Sequence, residues 1–220
     1  MPVLKKQSLP DQLYEELRTN IINLTYPLGS KVNVNELQSV YGVSSTPIRE
    51  AINRLQIEGL VVYENNVGAR VLSLKAEDVY EIQDLAVILH SAAIRFAMER
   101  ADHKVLAQEI QKYLKDYYHA STNDEDVKCI FNIIGAFYRH CGNSRLDNNM
   151  KVIQGEQLIL RYLYRQNQPA DKSKDNYLEQ MYAAVIAGDA EKIIRILKAD
   201  YAKTTKVLVE AVAHLPAEGS

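Results

Sequence analysis

Apolar residues recur at helical spacing from the first dozen positions onward. Leu13, Leu17, Ile21 and Leu24, with Tyr14 beside them, predict an amphipathic helix from about Pro10 to Leu24. Tyr26-Pro27-Leu28-Gly29 breaks it. Asn33 is placed to cap a second, short helix, with Glu36 as its capping-box partner and Val34, Leu37, Val40 and Tyr41 as its apolar residues. Gly42 ends that helix. Ser44, Ser45 and Thr46 offer caps for a third helix, and Pro47 sits in its first turn, where a missing N–H does no harm. Ile48, Ala51, Ile52 and Leu55 form the buried stripe of this third helix, and Gly59 stops it.

Two short β-prone runs follow, Leu60–Tyr63 and Ala69–Leu72, joined by the turn-rich Glu64-Asn65-Asn66-Val67-Gly68. Helix, short helix, tight link, longer helix, hairpin is the order of a winged helix-turn-helix. Beyond residue 75 the pattern becomes almost wholly helical. Helices are expected near 76–101, 103–121, 124–141, 144–167, 171–187 and 189–213, divided by Asp102-His103, Ser121–Asp124, Gly142-Asn143, Gln168-Pro169 and Gly188-Asp189. The fold class is therefore mainly α. Residues 1–75 are expected to form a winged helix-turn-helix DNA-binding domain, and 76–220 an all-helical domain.

Composition narrows this picture. The 220 residues are 47% hydrophobic and 25% charged, which is globular rather than disordered. The net charge of -2 excludes a uniformly basic nucleic-acid coat, so a nucleic-acid site has to be local. Eight Lys+Arg stand against seven Asp+Glu through residue 75, and 18 against 21 beyond it. A DNA-binding head of charge +1 attracts DNA weakly and needs pairing and specific contacts. The two cysteines, Cys129 and Cys141, suggest neither a disulfide framework nor a zinc site. No secretory signal pattern opens the chain, and its most apolar stretch, 85–97, is too short and polar to span a bilayer. A cytoplasmic protein without membrane contact is the expectation.

The third helix sorts its polar residues onto one face, with Thr46, Arg49 and Asn53 at i, i+3 and i+7. An Arg can take both acceptors of guanine and an Asn can bond adenine bidentately. First-turn N–H groups favour phosphate. Glu50 and Arg54, four apart, are expected to pair along the helix. The hairpin tip adds Asn65, Asn66, Gly68 and Arg70, and Lys5, Lys6, Arg18 and Lys31 are candidate phosphate contacts. With Asn35, Ser44 and Ser45 these make up the candidate DNA surface.

The stretch from Leu13 to Val71 resembles the winged-helix domain of GntR-family bacterial transcription regulators. The resemblance is carried by Leu28–Val32, Glu36-Leu37, Gly42–Ile52, Leu55, Glu58–Val61 and Gly68. The helical remainder resembles the effector domain of the FadR (FCD) subfamily, through Phe137–Leu146 and Ala184–Asp189. The resemblance implies a homodimer that reads a double-stranded, pseudo-palindromic operator and answers a small-molecule effector. Two positions depart from the family, which often has Arg where Asn35 stands and Arg or Lys where Ser45 stands. Weaker phosphate anchoring or an altered operator would follow.

Many relatives hold a metal in the helical domain through one Asp and three His. Those positions fall on Ile130, Ile134, Leu178 and Asp200, and the relatives' Arg and Glu on the fourth helix fall on Ala86 and His90. One carboxylate does not hold a transition ion, so no metal and no cofactor are expected. The replacements predict an apolar interior. It is either filled, leaving a domain that only dimerises, or open to an apolar or mixed acid anchored by His90, Asp200 or a phenol. Tyr138, Tyr162, Tyr164, Tyr177 and Tyr182 are the candidate phenols. No motif for a catalytic nucleophile, phosphate loop or metalloprotease is present, so enzyme activity is not expected. The alternative function is a winged-helix protein-interaction module with a ligand-free helical dimerisation domain.

Overall fold

The computed structural model describes residues 7–64, 68–168 and 176–215. Those residues divide into two compact units, one ending at Leu74 and the other running from Lys75 to His214.

In the first unit, helix α1 spans Leu9–Ile22. Ser8 caps it in a reciprocal box with Asp11, and Pro10 lies in its first turn. Helix α2 spans Val34–Tyr41, and Asn33 accepts from the amides of Asn35 and Glu36. Gly42 closes α2 in the left-handed region at φ 65°, a conformation that side chains bearing a Cβ resist. Leu37 is the buried anchor of α2, whereas Val40, expected on the same apolar face, is 73% exposed. Helix α3, Ser45–Ile57, is the axle of the unit. Ile48, Ala51, Ile52 and Leu55 are wholly buried, and the helix packs on α1, α2 and the following strand. Each large aliphatic side chain in that stripe contributes about 1.5–3 kcal/mol through burial.

Strands β1 (Val61–Glu64) and β2 (Gly68–Val71) pair antiparallel in the register Val61↔Val71 and Glu64↔Gly68. The hairpin sits one residue nearer its tip than the sequence pattern suggests. Leu60 is still engaged with the end of α3, its amide bonding Leu55 O. A further edge was not legible in the sequence. Val71 N donates to Ser30 O and Val32 N to Ala69 O, both at 2.8 Å, which lays residues 30–32 along β2.

Long-range side-chain pairs join α1 to α3. Arg54 reaches Asp11 at 2.8 Å and lies over the Tyr14 ring at 3.8 Å. Arg18 pairs with Glu58 at 2.9 Å, and the Tyr14 hydroxyl donates to the same carboxylate. Burial and that carboxylate push the Tyr14 phenol up to about 12. The expected pairing of Arg54 with Glu50 is thus replaced, because α1 offers Arg54 an aromatic face and a carboxylate together. Arg18 likewise has its charge met inside the unit.

The second unit is a bundle of α4 (Ala76–Arg100), α5 (His103–His119), α6 (Asn123–His140), α7 (Ser144–Asn167), α8 (Tyr177–Ile186) and α9 (Ala190–Ala213). Asp102, Thr122, Asn143 and Asp189 cap α5, α6, α7 and α9 by accepting first-turn amides. The start expected for α8 near residue 171 lies outside the described residues, and Asn176 precedes its first turn. Helix α4 packs against α6, α7 and α9, and α5 against α6 and α8. Among the described residues no helix is long and apolar enough to cross a membrane.

Candidate functional site

Helix α3 presents its polar face to solvent. Thr46, Arg49 and Asn53 are exposed on it, as are Ser44 just before it and Asn35 on α2, while Ser45 is half-buried. Arg49 makes no hydrogen bond or ion pair with the described residues, unlike Arg18, Arg54 and Arg70. Ser44 stands at the N-cap of α3 in extended conformation, yet its hydroxyl makes no cap bond. Four of the bundle helices and both other helices of this unit have a capping side chain on their first-turn amides. The start of α3 therefore keeps unsatisfied amide donors and a free hydroxyl at the positive end of a helix, a combination suited to a phosphate oxygen.

The hairpin is a different matter. Gly68 holds φ 101°, which only glycine adopts readily, at the inner end of the tip. Asn66 and its neighbour Asn65 lie outside the described residues. Arg70, expected to meet DNA, is committed within the unit. Its Nη1 donates to Gly29 O at 2.8 Å, and its Nε lies 3.2 Å from Glu64. Those bonds fasten β2 to Gly29 on one side and to β1 on the other, so Arg70 belongs to the base of the wing. Lys31 is exposed, and Lys5 and Lys6 lie outside the described residues.

The bundle holds a partly open cavity of about 210 Å³. His90, Ile130, Ile134, Tyr138, Leu178 and Asp200 all line it, brought together from α4, α6, α8 and α9. Ala86 does not. It is wholly buried in the core one turn below His90, where its small side chain allows close helix packing. The cavity is mixed rather than apolar. Helix α7, which contributed only the candidate phenols Tyr162 and Tyr164, supplies Asp147, Met150, Lys151, Gln154, Gln157 and Arg161. They recur every three or four residues, so the signal was a polar stripe at helical spacing. It was missed because nothing in the sequence says that this face turns inward. Tyr177 and Tyr201 also line the space, whereas Tyr162, Tyr164 and Tyr182 do not.

Arg161 and Asp200, 12% and 10% exposed, pair at 3.3 Å. Burial works against the Arg161 charge, but the Asp200 carboxylate together with the Tyr177 and Tyr201 phenols outweighs it and holds the guanidinium above its usual range. Burial likewise raises the Tyr177 phenol well above its ordinary value, and its hydroxyl has no hydrogen-bond partner among the described residues. Beside them runs a buried chain of hydrogen bonds. His90 Nδ1 lies 2.9 Å from the Tyr138 hydroxyl, and Nε2 lies 2.9 Å from the Tyr201 hydroxyl. Tyr201 donates to Gln157 Oε1 at 3.0 Å, Gln157 to Gln83 Oε1 at 3.3 Å, and Gln83 to Thr204 Oγ1 at 3.3 Å. Burial, and then the Arg161 charge, push His90 down to about 3, so the ring is neutral. Since Tyr201 gives its proton to Gln157, it accepts from His90 Nε2–H, and Nδ1 accepts from Tyr138.

Comparison with known proteins places both units. Residues 9–71 match the model for bacterial regulatory proteins of the gntR family, and residues 81–202 match the FCD domain. The chain belongs to the GntR family, in its FCD branch. The regulator is 29% identical over 120 residues to the HTH-type transcriptional regulator YdhC of Bacillus subtilis, covering 53% of this chain and 54% of that one. It is also 29% identical over 115 residues to the gluconate operon transcriptional repressor of the same organism, covering 51% and 45%. The chain thus spans about half the length of these curated relatives. Among solved structures, a GntR regulator from Rhodococcus sp. RHA1 superposes with a TM-score of 0.73 at 21% identity, covering 93% of this chain and 99% of that one. Escherichia coli McbR/YncC gives 0.75 at 18%, with the same coverage. These likenesses carry the two-unit fold of the regulator. The relatives are named as regulators and not as enzymes.

The FCD resemblance implies a metal, and the regulator's residues do not fit one. At the four ligand positions stand Ile130, Ile134, Leu178 and Asp200, three hydrocarbons and a carboxylate already bonded to Arg161. His90 nearby has both ring nitrogens in hydrogen bonds. Among the described residues no group of three or more His, Cys, Asp or Glu side chains converges. A divalent transition ion needs three or four N, O or S ligands.

Proposed function

We propose that the regulator is a metal-free, ligand-responsive repressor that reads a short pseudo-palindromic operator as a homodimer in the cytoplasm. The observation that carries the reading is Arg49, exposed and uncommitted among the described residues on α3 beside Thr46 and Asn53, while the neighbouring arginines are held within the unit. Two copies of α3 related by a two-fold axis match a two-fold site about one helical turn apart. The head's small net charge makes that pairing necessary, since each copy alone attracts DNA weakly. The cavity in the bundle is the effector site. A small molecule bound there changes operator affinity to the extent that it prefers one state of the dimer. Repression follows by analogy from relatives named as operon repressors.

Operator selection with the purified chain, followed by titration at several salt concentrations, tests this. A selected duplex should show two half-sites, and affinity should fall steeply with salt through counterion release. No enriched duplex removes the reading and leaves the protein-interaction module in its place.

A further inference from the structure

The charges around the bundle cavity balance. Arg161 faces Asp200 at 3.3 Å, Lys151 faces Asp147 at 2.6 Å, and Arg139 is met by Glu109 at 2.6 Å. His90 is neutral. A guest with a net charge would therefore enter a partly desolvated space with nothing left to neutralise it. Yet the innermost pair is under-used. Arg161 makes one hydrogen bond among the described residues, to Asp200 Oδ2, so most of its fan of donors is uncommitted, and so is the second Asp200 oxygen. The Tyr177 hydroxyl beside them is buried and has no partner among the described residues. Guest groups that satisfy these three must include both an anion and a cation. A lone carboxylate on Arg161 would stand against Asp200, and a lone ammonium on Asp200 would stand against Arg161. A molecule carrying both charges on neighbouring atoms meets each with its opposite. Ile130, Ile134, Met150, Leu178 and Leu197 give the wall a hydrocarbon patch. The volume of about 210 Å³ lies below the range of about 300–1,000 Å³ for drug-sized ligands, so it suits a small metabolite.

We propose that this cavity binds a free α-amino acid with an apolar side chain, its carboxylate on the Arg161 guanidinium and the Tyr177 hydroxyl, its ammonium on Asp200. The proposal rests on the reading of the cavity as the effector site and names the class of effector. The guanidinium supplies the cation of the cavity, and Asp200 turns the preference from simple acids to zwitterions.

The test uses the full-length protein, with thermal shift and calorimetry. L-Leucine, L-methionine and L-phenylalanine are compared with 4-methylpentanoate and 3-phenylpropanoate, which lack the ammonium, and with 3-methylbutylamine and 2-phenylethylamine, which lack the carboxylate. At least one amino acid should raise the melting temperature, and its matched acid and amine should bind about tenfold or more weakly, because each leaves a charged partner unmet. Acids that bind as well as the amino acids overturn the proposal, as does silence from all three amino acids. A panel of sugars, sugar acids and dicarboxylates runs in parallel. Stabilisation by one of these alone keeps the effector site and removes the amino acid. The double variant Arg161→Met/Asp200→Leu exchanges the pair for apolar groups of similar size, a change that buried pairs commonly tolerate. With a cooperative melt retained, it should lose the amino-acid response, and an undiminished response overturns the assignment.

Discussion

His90 Nε2 donates to the Tyr201 hydroxyl across 2.9 Å in the centre of the bundle, and both residues are buried. A neutral imidazole satisfies both its neighbours, whereas an imidazolium would need a second acceptor where Tyr138 offers a proton. With His90 pushed down to about 3, the unfolded chain binds a proton that the folded one refuses. Stability is therefore full above the ordinary histidine value of about 6.5 and falls as the pH drops below it. Between pH 6.5 and 5 the loss from this group is about 2 kcal/mol at most. Urea melts at the two pH values should show a steeper loss for the native protein than for His90→Gln. Parallel pH profiles would mean that the ring is not held neutral.

Arg49→Ala should weaken binding to the selected operator by about 1–3 kcal/mol and relax the preference at one base position. Its melting temperature should not move, because Arg49 is exposed and holds nothing within the unit. Gel-shift titration against matched and mismatched duplexes checks this, and unchanged affinity would remove the base contact.

Arg54 and Glu50 lie one turn apart on α3, yet Arg54 faces Asp11 and the Tyr14 ring. Arg54→Ala should cost about 1 kcal/mol, from a half-exposed ion pair and a cation–π contact. Glu50→Ala should stay within about 0.5 kcal/mol of the native protein. Denaturant midpoints of the two variants decide between this arrangement and a pair along the helix.

Gly42→Ala should destabilise the DNA-binding unit by about 1–2 kcal/mol. A Cβ there meets nothing within 4 Å, so the cost is backbone strain at φ 65° and not a clash. A melt of the isolated variant against the native chain reads it directly.

Purified protein should contain no stoichiometric zinc, nickel or manganese, and EDTA should leave its melting temperature unchanged. One metal per chain in elemental analysis would overturn the reading of Ile130, Ile134 and Leu178 as replacements for ligands.

The sequence alone determined the order of the elements and, apart from the start of α8, their bounds to within about two residues, because spacing and caps are local. Ile48, Ala51, Ile52 and Leu55 give α3 its stripe, Asn33 and Gly42 bracket α2, and Asp102, Asn143 and Asp189 start three bundle helices. It also put Thr46, Arg49 and Asn53 on one face, since a helix has a fixed angle per residue. What each charge does was decided by the tertiary structure. Arg70 and Arg49 read alike as exposed cations, but only the fold brings Gly29 O and Glu64 to Arg70 and leaves Arg49 alone. The stripe from Asp147 to Arg161 carries no sign in the sequence that α7 turns it inward, where Arg161 meets Asp200 across 39 residues of chain. Partners that far apart leave no periodic trace, because their meeting depends on how whole helices pack.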